Sequence, residues 1–164
     1  MKKVIILMLL VMPVSIMAQK FGHFNSSEVI QLMPEYTSAQ AEIQKLQSTY
    51  EADLKSMQEE LERKATAYDS AKDSLPENIR TRRETELNEL YQRIQTTYSD
   101  NQQELQKVSN ERMQTISERL LTAVKSIGDA EGYVYIMDTT AGVAYINTSI
   151  SVDVTAQIKQ KLGL

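Results

Sequence analysis

From Glu35 to Ile127 apolar residues recur at alternating steps of three and four: Ala39, Ile43, Leu46, Tyr50, Leu54, Met57, Leu61, Ala65 and Tyr68, then Leu87, Tyr91, Ile94, Tyr98, Leu105, Val108, Ile116, Leu120, Ala123 and Ile127. Charged and amide residues fill the positions between them. The pattern is a helical stripe near the 3.5-residue period of coiled coils. The stretch has no glycine and one proline, Pro76. Proline biases Leu75 away from helical geometry, so Asp73 to Asn78 is the one plausible break. At about 1.5 Å per residue an unbroken rod would part its ends by roughly 140 Å and strand the first residues without a partner. The pattern therefore predicts two very long helices folded back at a tip near residues 73–78. Positions facing each other would put Leu61 near Leu90, Tyr68 near Arg82 or Arg83, and Ile43 near Val108.

The flanking segments change period. Lys20 to Asn25 (KFGHFN) reads as a strand. Asn25 and Glu28 have capping-box spacing for a short helix carrying Val29, Ile30 and Met33, and Pro34 suits the first turn of the next helix. Ser74 and Glu77 have the spacing to cap the helix after the tip, and Gly128 is the expected end of that helix. Tyr133–Met137 (YVYIM) and Val143–Asn147 (VAYIN) are β-branched and aromatic, and Asp138 to Gly142 between them has a hairpin's composition. Asp153 or Thr155 can cap a last helix bearing Ile158 and Leu162. The strands thus come from both ends of the chain and the helices from its middle.

The first residues read as a signal for export. Lys2 and Lys3 precede the apolar run Val4–Val11, then Pro13 and a small residue, Ala18, at the expected cut. The run is short for a bilayer span, and no cysteine follows the cut to carry a lipid. Without residues 1–18 the chain keeps 16 basic and 22 acidic side chains, a net charge of −6. Nucleic acid binding needs a basic face, so it is not expected. The absence of cysteine leaves stability to burial and assembly.

A base of about fifty residues is marginal alone, and a helix pair with one narrow stripe per helix lacks a second covering layer. Open sheet edges would also be exposed in a monomer. The expectation is a homo-oligomer joined through the base by Phe21, Phe24, Tyr135, Ile136, Tyr145 and Ile146.

These residues resemble the Skp/OmpH family of periplasmic chaperones over essentially the whole chain after residue 18. The resemblance rests on the signal-like start, Asn25-Ser26-Ser27-Glu28-Val29-Ile30, Pro34-Glu35-Tyr36, the long charged helical stretch, and Tyr133 to Asp138 followed by Val152 to Ile158. It implies an α+β, mostly α fold: a long antiparallel α-helical hairpin (residues 35–115) projecting from a small β-barrel-like oligomerisation body (residues 19–34 and 116–164). It further implies a homotrimer that holds unfolded outer-membrane β-barrel proteins in a cavity between its arms, in the periplasm and without ATP. The best-known members are strongly basic whereas this chain is acidic, so the resemblance gives no expectation either way for lipopolysaccharide or anionic-lipid binding.

A holdase of that kind needs no catalytic residue, cofactor or metal, only a weakly apolar surface. Tyr50, Leu54, Met57, Leu61, Tyr68, Tyr91, Ile94 and Tyr98 are the candidate client wall, the tyrosines above all, because tyrosine offers amphipathic area at low entropic cost. The competing account makes them the helices' own seam. Polar insertions at Gln102, Arg112 and Arg82/Arg83 interrupt that seam, which suits a holdase better than the rigid coiled-coil spacer or adaptor that is the alternative. At the tip Lys72, Arg80, Arg82 and Arg83 stand among acids as a mixed solvated surface, with weak membrane contact as the functional alternative. His23, the only histidine, lacks further metal ligands, and Glu59, Glu60 and Glu62 do not face one another as a catalytic pair. No phosphate loop, zinc-protease signature or serine elbow is found. Asp69-Ser70-Ala71, Asp73-Ser74-Leu75 and Asp138-Thr139-Thr140 resemble the acceptor tripeptide of some bacterial O-glycosylation systems.

Overall fold

The computed structural model describes residues 19–164, and the expected signal peptide lies outside the described residues. In chain order the elements are β1 (Lys20–Phe24), α1 (Ser26–Ile30), α2 (Pro34–Ala71), a 3-10 turn (Lys72–Ser74), α3 (Glu77–Glu131), β2 (Tyr133–Asp138), a second 3-10 turn (Thr139–Ala141), β3 (Ser151–Asp153) and α4 (Thr155–Leu162). The described residues are mostly helical, with one sheet of three strands among them. The described residues divide into two compact units: Ser27–Leu121, and residues 19–26 with Thr122–Gly163.

In the helical unit α2 starts on Pro34, whose missing N–H costs nothing in a first turn. It ends at Ala71, where the chain tightens into the 3-10 turn, and Leu75 is extended (φ −84°, ψ 140°) ahead of Pro76. The carbonyl of Pro76 accepts the N–H groups of Ile79 and Arg80 and so opens α3. Ser74 does not cap α3 as its spacing suggests; its hydroxyl donates back to the carbonyl of Ala71 at 2.8 Å. Side-chain contacts pair α2 with α3 in opposite directions. Glu35 meets Arg119 and Glu42 meets Arg112, seven residues on in one helix and seven back in the other. Nearer the turn, the Tyr68 hydroxyl donates to Glu84. Ala39, Leu90, Ile94, Ile116 and Leu120 are buried, as are Val29 of α1 and Met33 after it. In α2 the half-buried positions Ile43, Leu46, Tyr50, Leu54, Met57, Leu61, Ala65 and Tyr68 follow steps of 3-4-4. That is an 11-residue repeat near 3.67 residues per turn, not the 3.5 of a left-handed coiled coil.

The sheet unit corrects two expectations. Val143–Asn147 forms no strand, and Tyr133–Met137 is not one arm of a β-hairpin. The third strand is Ser151–Asp153, and β1 lies between β2 and β3, parallel to both. Two parallel strands of one sheet cannot be joined through a tight turn; the crossover from β2 over β1 to β3 needs about a dozen residues. The stretch from Thr139 to Ile150 makes it, through the 3-10 turn, the left-handed Gly142 (φ 79°) and a turn at Asn147, whose side chain accepts from Ser149 N at 3.0 Å. The sheet is open, with β2 and β3 as its edges among the described residues.

Gly128 does not end α3. The helix continues to Glu131 and closes on Gly132, whose φ of 70° suits a residue without a side chain. Gly128 instead lies where an added Cβ would touch Ile136 of β2 at 3.7 Å. Gly22 permits a closer approach: a Cβ there would come within 3.1 Å of the Tyr133 ring and 3.2 Å of Ile136. Phe24, Ala123, Ile127, Val154 and Ile158 form the buried core of this unit. Asp153 starts α4 as expected, its carboxylate accepting from Thr155 N at 2.9 Å.

Candidate interaction surfaces

Along α3 the residues turned inward are Leu87, Leu90, Ile94, Thr97, Asn101, Leu105 and Val108, of which Leu90 and Ile94 are buried. Tyr91 lies one residue beyond Leu90, about 100° further round the helix. It is 50% exposed, and Tyr98, seven residues on, is 55% exposed. The two tyrosines are therefore not part of the seam. Ile94, grouped with them by its spacing, is 6% exposed and serves the chain's own packing. Tyr50, Leu54, Met57, Leu61 and Tyr68 of α2 are half-buried, between the two states.

The face that carries Tyr91 and Tyr98 continues through residues that a search for apolar periodicity passes over. Asn88, Tyr91, Gln95, Tyr98, Gln102, Gln106, Ser109 and Met113 follow one another at steps of three and four, and all but half-buried Ser109 are exposed. None of the eight is charged, although charges occur throughout the helix, as at Arg93, Asp100, Glu104, Lys107 and Glu111. The stripe extends for about 37 Å at the rise of an α-helix. Its signal in the sequence was amide, not apolar, content.

The polar insertions fall elsewhere than expected. Arg112 does not break the seam; it reaches Glu42 with two parallel hydrogen bonds of 2.9 and 2.8 Å. That bond holds the Glu42 carboxyl below its usual range and raises the Arg112 guanidinium. Gln102 is on the exposed stripe. The seam's true polar positions are Thr97 and Asn101, and the Asn101 side-chain nitrogen is buried with no hydrogen-bond partner.

At the turn between α2 and α3 every cation named from the sequence has a carboxylate beside it. Lys72 pairs with Asp69 at 3.3 Å, Arg80 with Glu77, and Arg82 and Arg83 with Glu86 at 3.4 and 2.9 Å. Such local neutralisation leaves little field to attract an anionic surface. A cavity of about 230 Å³ opens nearby, among Tyr68, Ala71, Leu75 and Leu87.

In the sheet unit Phe24 is 4% exposed and packs inside its own chain, while Ile136 is half-buried. Phe21 stacks on Tyr135 with ring centroids 4.9 Å apart. A cleft of about 120 Å³ beside them is lined by His23, Met137, Tyr145, Ile146 and Ile150. Exposed apolar side chains gather on this unit: Tyr145 at 79%, Ile150 at 64%, Val134 at 58% and Tyr135 at 50%, with Val152 and Met137 somewhat less. Val134 belongs to β2, whereas Ile150 and Val152 sit at or in β3, a strand too short to show in the composition. His23 bonds through Nδ1 to the Ser151 hydroxyl at 2.9 Å, a packed role. Among the described residues no cluster of His, Asp and Glu could hold a metal ion, and no helix is long and apolar enough to cross a membrane.

No curated protein matches the chain. A solved structure with the same fold is a candidate outer membrane chaperone (OmpH-like) from Caulobacter crescentus CB15. The two are 17% identical with a TM-score of 0.75, over 88% of this chain and 83% of that one. The family model described as outer membrane protein (OmpH-like) matches residues 20–162, nearly everything described above, and the chain belongs to that family.

Proposed function

We propose that this protein is an ATP-independent periplasmic holdase that keeps unfolded outer-membrane β-barrel proteins from aggregating. The observation that carries the reading is the exposed, uncharged stripe from Asn88 to Met113 on an otherwise charged helix. Tyrosine faces give an unfolded chain adaptable apolar area, and glutamine amides offer both donors and acceptors to its peptide groups. Neither depends on the client's charge, which suits an acidic chaperone. Family membership and the likeness to a candidate chaperone support the same role.

In this reading α2 and α3 form a hairpin arm, and three copies join through the apolar surface of their sheet units, so that the arms enclose a cavity. A homotrimer would cover Tyr135, Tyr145, Ile150 and Val134, whose exposure is costly in a solitary chain. The partners are then the client and two further copies, and no reaction is catalysed.

The test is light scattering on residues 19–164, with and without a urea-unfolded barrel precursor. The expected result is an oligomer that suppresses precipitation at about one oligomer per client, with Tyr91→Ala/Tyr98→Ala much weaker but equally assembled. A monomer, or unhindered precipitation, would remove the chaperone reading and leave the coiled-coil spacer.

A further inference from the structure

Three of the seven aspartates are followed by a hydroxyl residue and then by a small, apolar or threonine side chain: Asp69-Ser70-Ala71, Asp73-Ser74-Leu75 and Asp138-Thr139-Thr140. Serine and threonine make up 27 of the 164 residues, a share that would place one after a single aspartate in seven. The motif alone does not separate the three. Their surroundings do.

Thr139 is half-buried, and its hydroxyl donates to the carbonyl of Phe24 at 3.1 Å, at the end of the central strand. Its neighbour Asp138 is engaged as well, accepting from Ser26 N and from the Thr140 N–H and hydroxyl. An enzyme could take up that tripeptide only by opening the sheet unit. Ser70 is exposed but lies in the last turn of α2, with its hydroxyl on the carbonyl of Thr66 at 2.8 Å. Presenting it as an extended substrate means unwinding helix.

Ser74 has neither obstacle. Asp73, Ser74 and Pro76 are all exposed, and Ser74 closes the short 3-10 turn. Leu75 after it is already extended and is kept from helical geometry by Pro76. The one hydroxyl contact to be given up is an exposed bond to the carbonyl of Ala71, which water can replace. We infer that Ser74, at the turn between the two long helices, is the acceptor of an O-linked glycan, and that Ser70 and Thr139 are passed over.

In the transfer, the Ser74 oxygen attacks the anomeric carbon of a sugar diphosphate donor. The bond from that carbon to the diphosphate breaks, the diphosphate leaves with the electron pair, and the hydroxyl proton passes to a base of the transferase. One C–O bond replaces another, with no oxidation or reduction. The inference is independent of the holdase reading.

Trypsin isolates the site, because cleavage after Lys72 and Arg80 releases Asp73–Arg80 with Ser74 as its only hydroxyl residue. The experiment is mass spectrometry of this peptide from the full chain purified out of its own cells. Sugar-sized mass additions on Asp73–Arg80, removed by alkaline β-elimination, are the expected result. Ser74→Ala should abolish them and Ser74→Thr should keep them, with unchanged helical circular dichroism in both. An unmodified Asp73–Arg80 peptide, whether the rest of the chain is bare or carries sugar at Ser70 or Thr139, would overturn the assignment.

Discussion

Glu42 of α2 and Arg112 of α3 lie 70 residues apart in the chain and are joined by two parallel hydrogen bonds. The pair fixes the register of the long helices at a point where neither Glu42 nor Arg112 is buried. Both groups are solvated, so their attraction contributes little to stability and is weakened by salt. Its value is in alignment. Reversing one charge, Glu42→Arg, should lower the midpoint of thermal unfolding slightly and more so in low salt. The double exchange Glu42→Arg/Arg112→Glu should restore it. Circular dichroism melts at two ionic strengths check both outcomes.

Asn101 should be a stabilising site for substitution. Its buried nitrogen has no partner, a situation that costs about 1–3 kcal/mol. Asn101→Leu removes the cost and adds an aliphatic contact to the seam. Chemical denaturation should show a gain of that order, and an unchanged or lower stability would mean that the amide is satisfied in solution.

Ile158 of α4 is fully buried in the sheet unit. Ile158→Ala should cost about 2–5 kcal/mol through lost transfer energy and the cavity left behind. Hydrogen exchange should show the amides of β1 losing protection, because Val154 just before α4 donates its N–H to the carbonyl of His23 at 2.9 Å. Gly22→Val should have a comparable effect by a different route, since its side chain would collide with Tyr133 and Ile136.

Acid should loosen the sheet unit before neutral pH matters at all. Thr155 hydrogen bonds hold the Asp153 carboxyl below its ordinary 3.8. Burial pushes Asp138 upward, but bonds from Ser26 and Thr140 outweigh it and leave this group low as well. A depressed folded value contributes stability above the unfolded value and loses it as pH falls through the folded one. The contribution is therefore intact above about pH 4 and lost progressively below it. Asp153→Asn should flatten the acid limb of a stability-versus-pH curve, which urea melts between pH 2 and pH 6 would record.

How far the sequence foretold this structure depends on how local each cause is. Pro34 and Pro76 act on their own neighbours, so the start of α2 and the extended Leu75 followed from one residue type each. The buried Ile158 followed from periodicity. Leu90 and Tyr91 show the limit of periodicity: both fit a stripe with steps of three and four, and only the partner helix decides which of two adjacent residues turns inward. Val143–Asn147 failed for a longer-range reason. Its composition is that of a strand, but β1 already has β2 on one edge, and the other is taken by Ser151–Asp153. The uncharged stripe leaves no mark in a hydrophobic pattern, because glutamine carries no weight in it.

The central position of β1 has a consequence for biosynthesis. Its hydrogen-bonding partners are more than a hundred residues away, and those of its second edge begin only at Ser151. A ribosome or export channel would release the opening segment long before either flank exists. That segment must wait, unpaired, until the tail arrives, so maturation of this unit should be slow and strictly post-synthetic. A chain cut short before Ser151 would leave the middle rung of the ladder with one side bare.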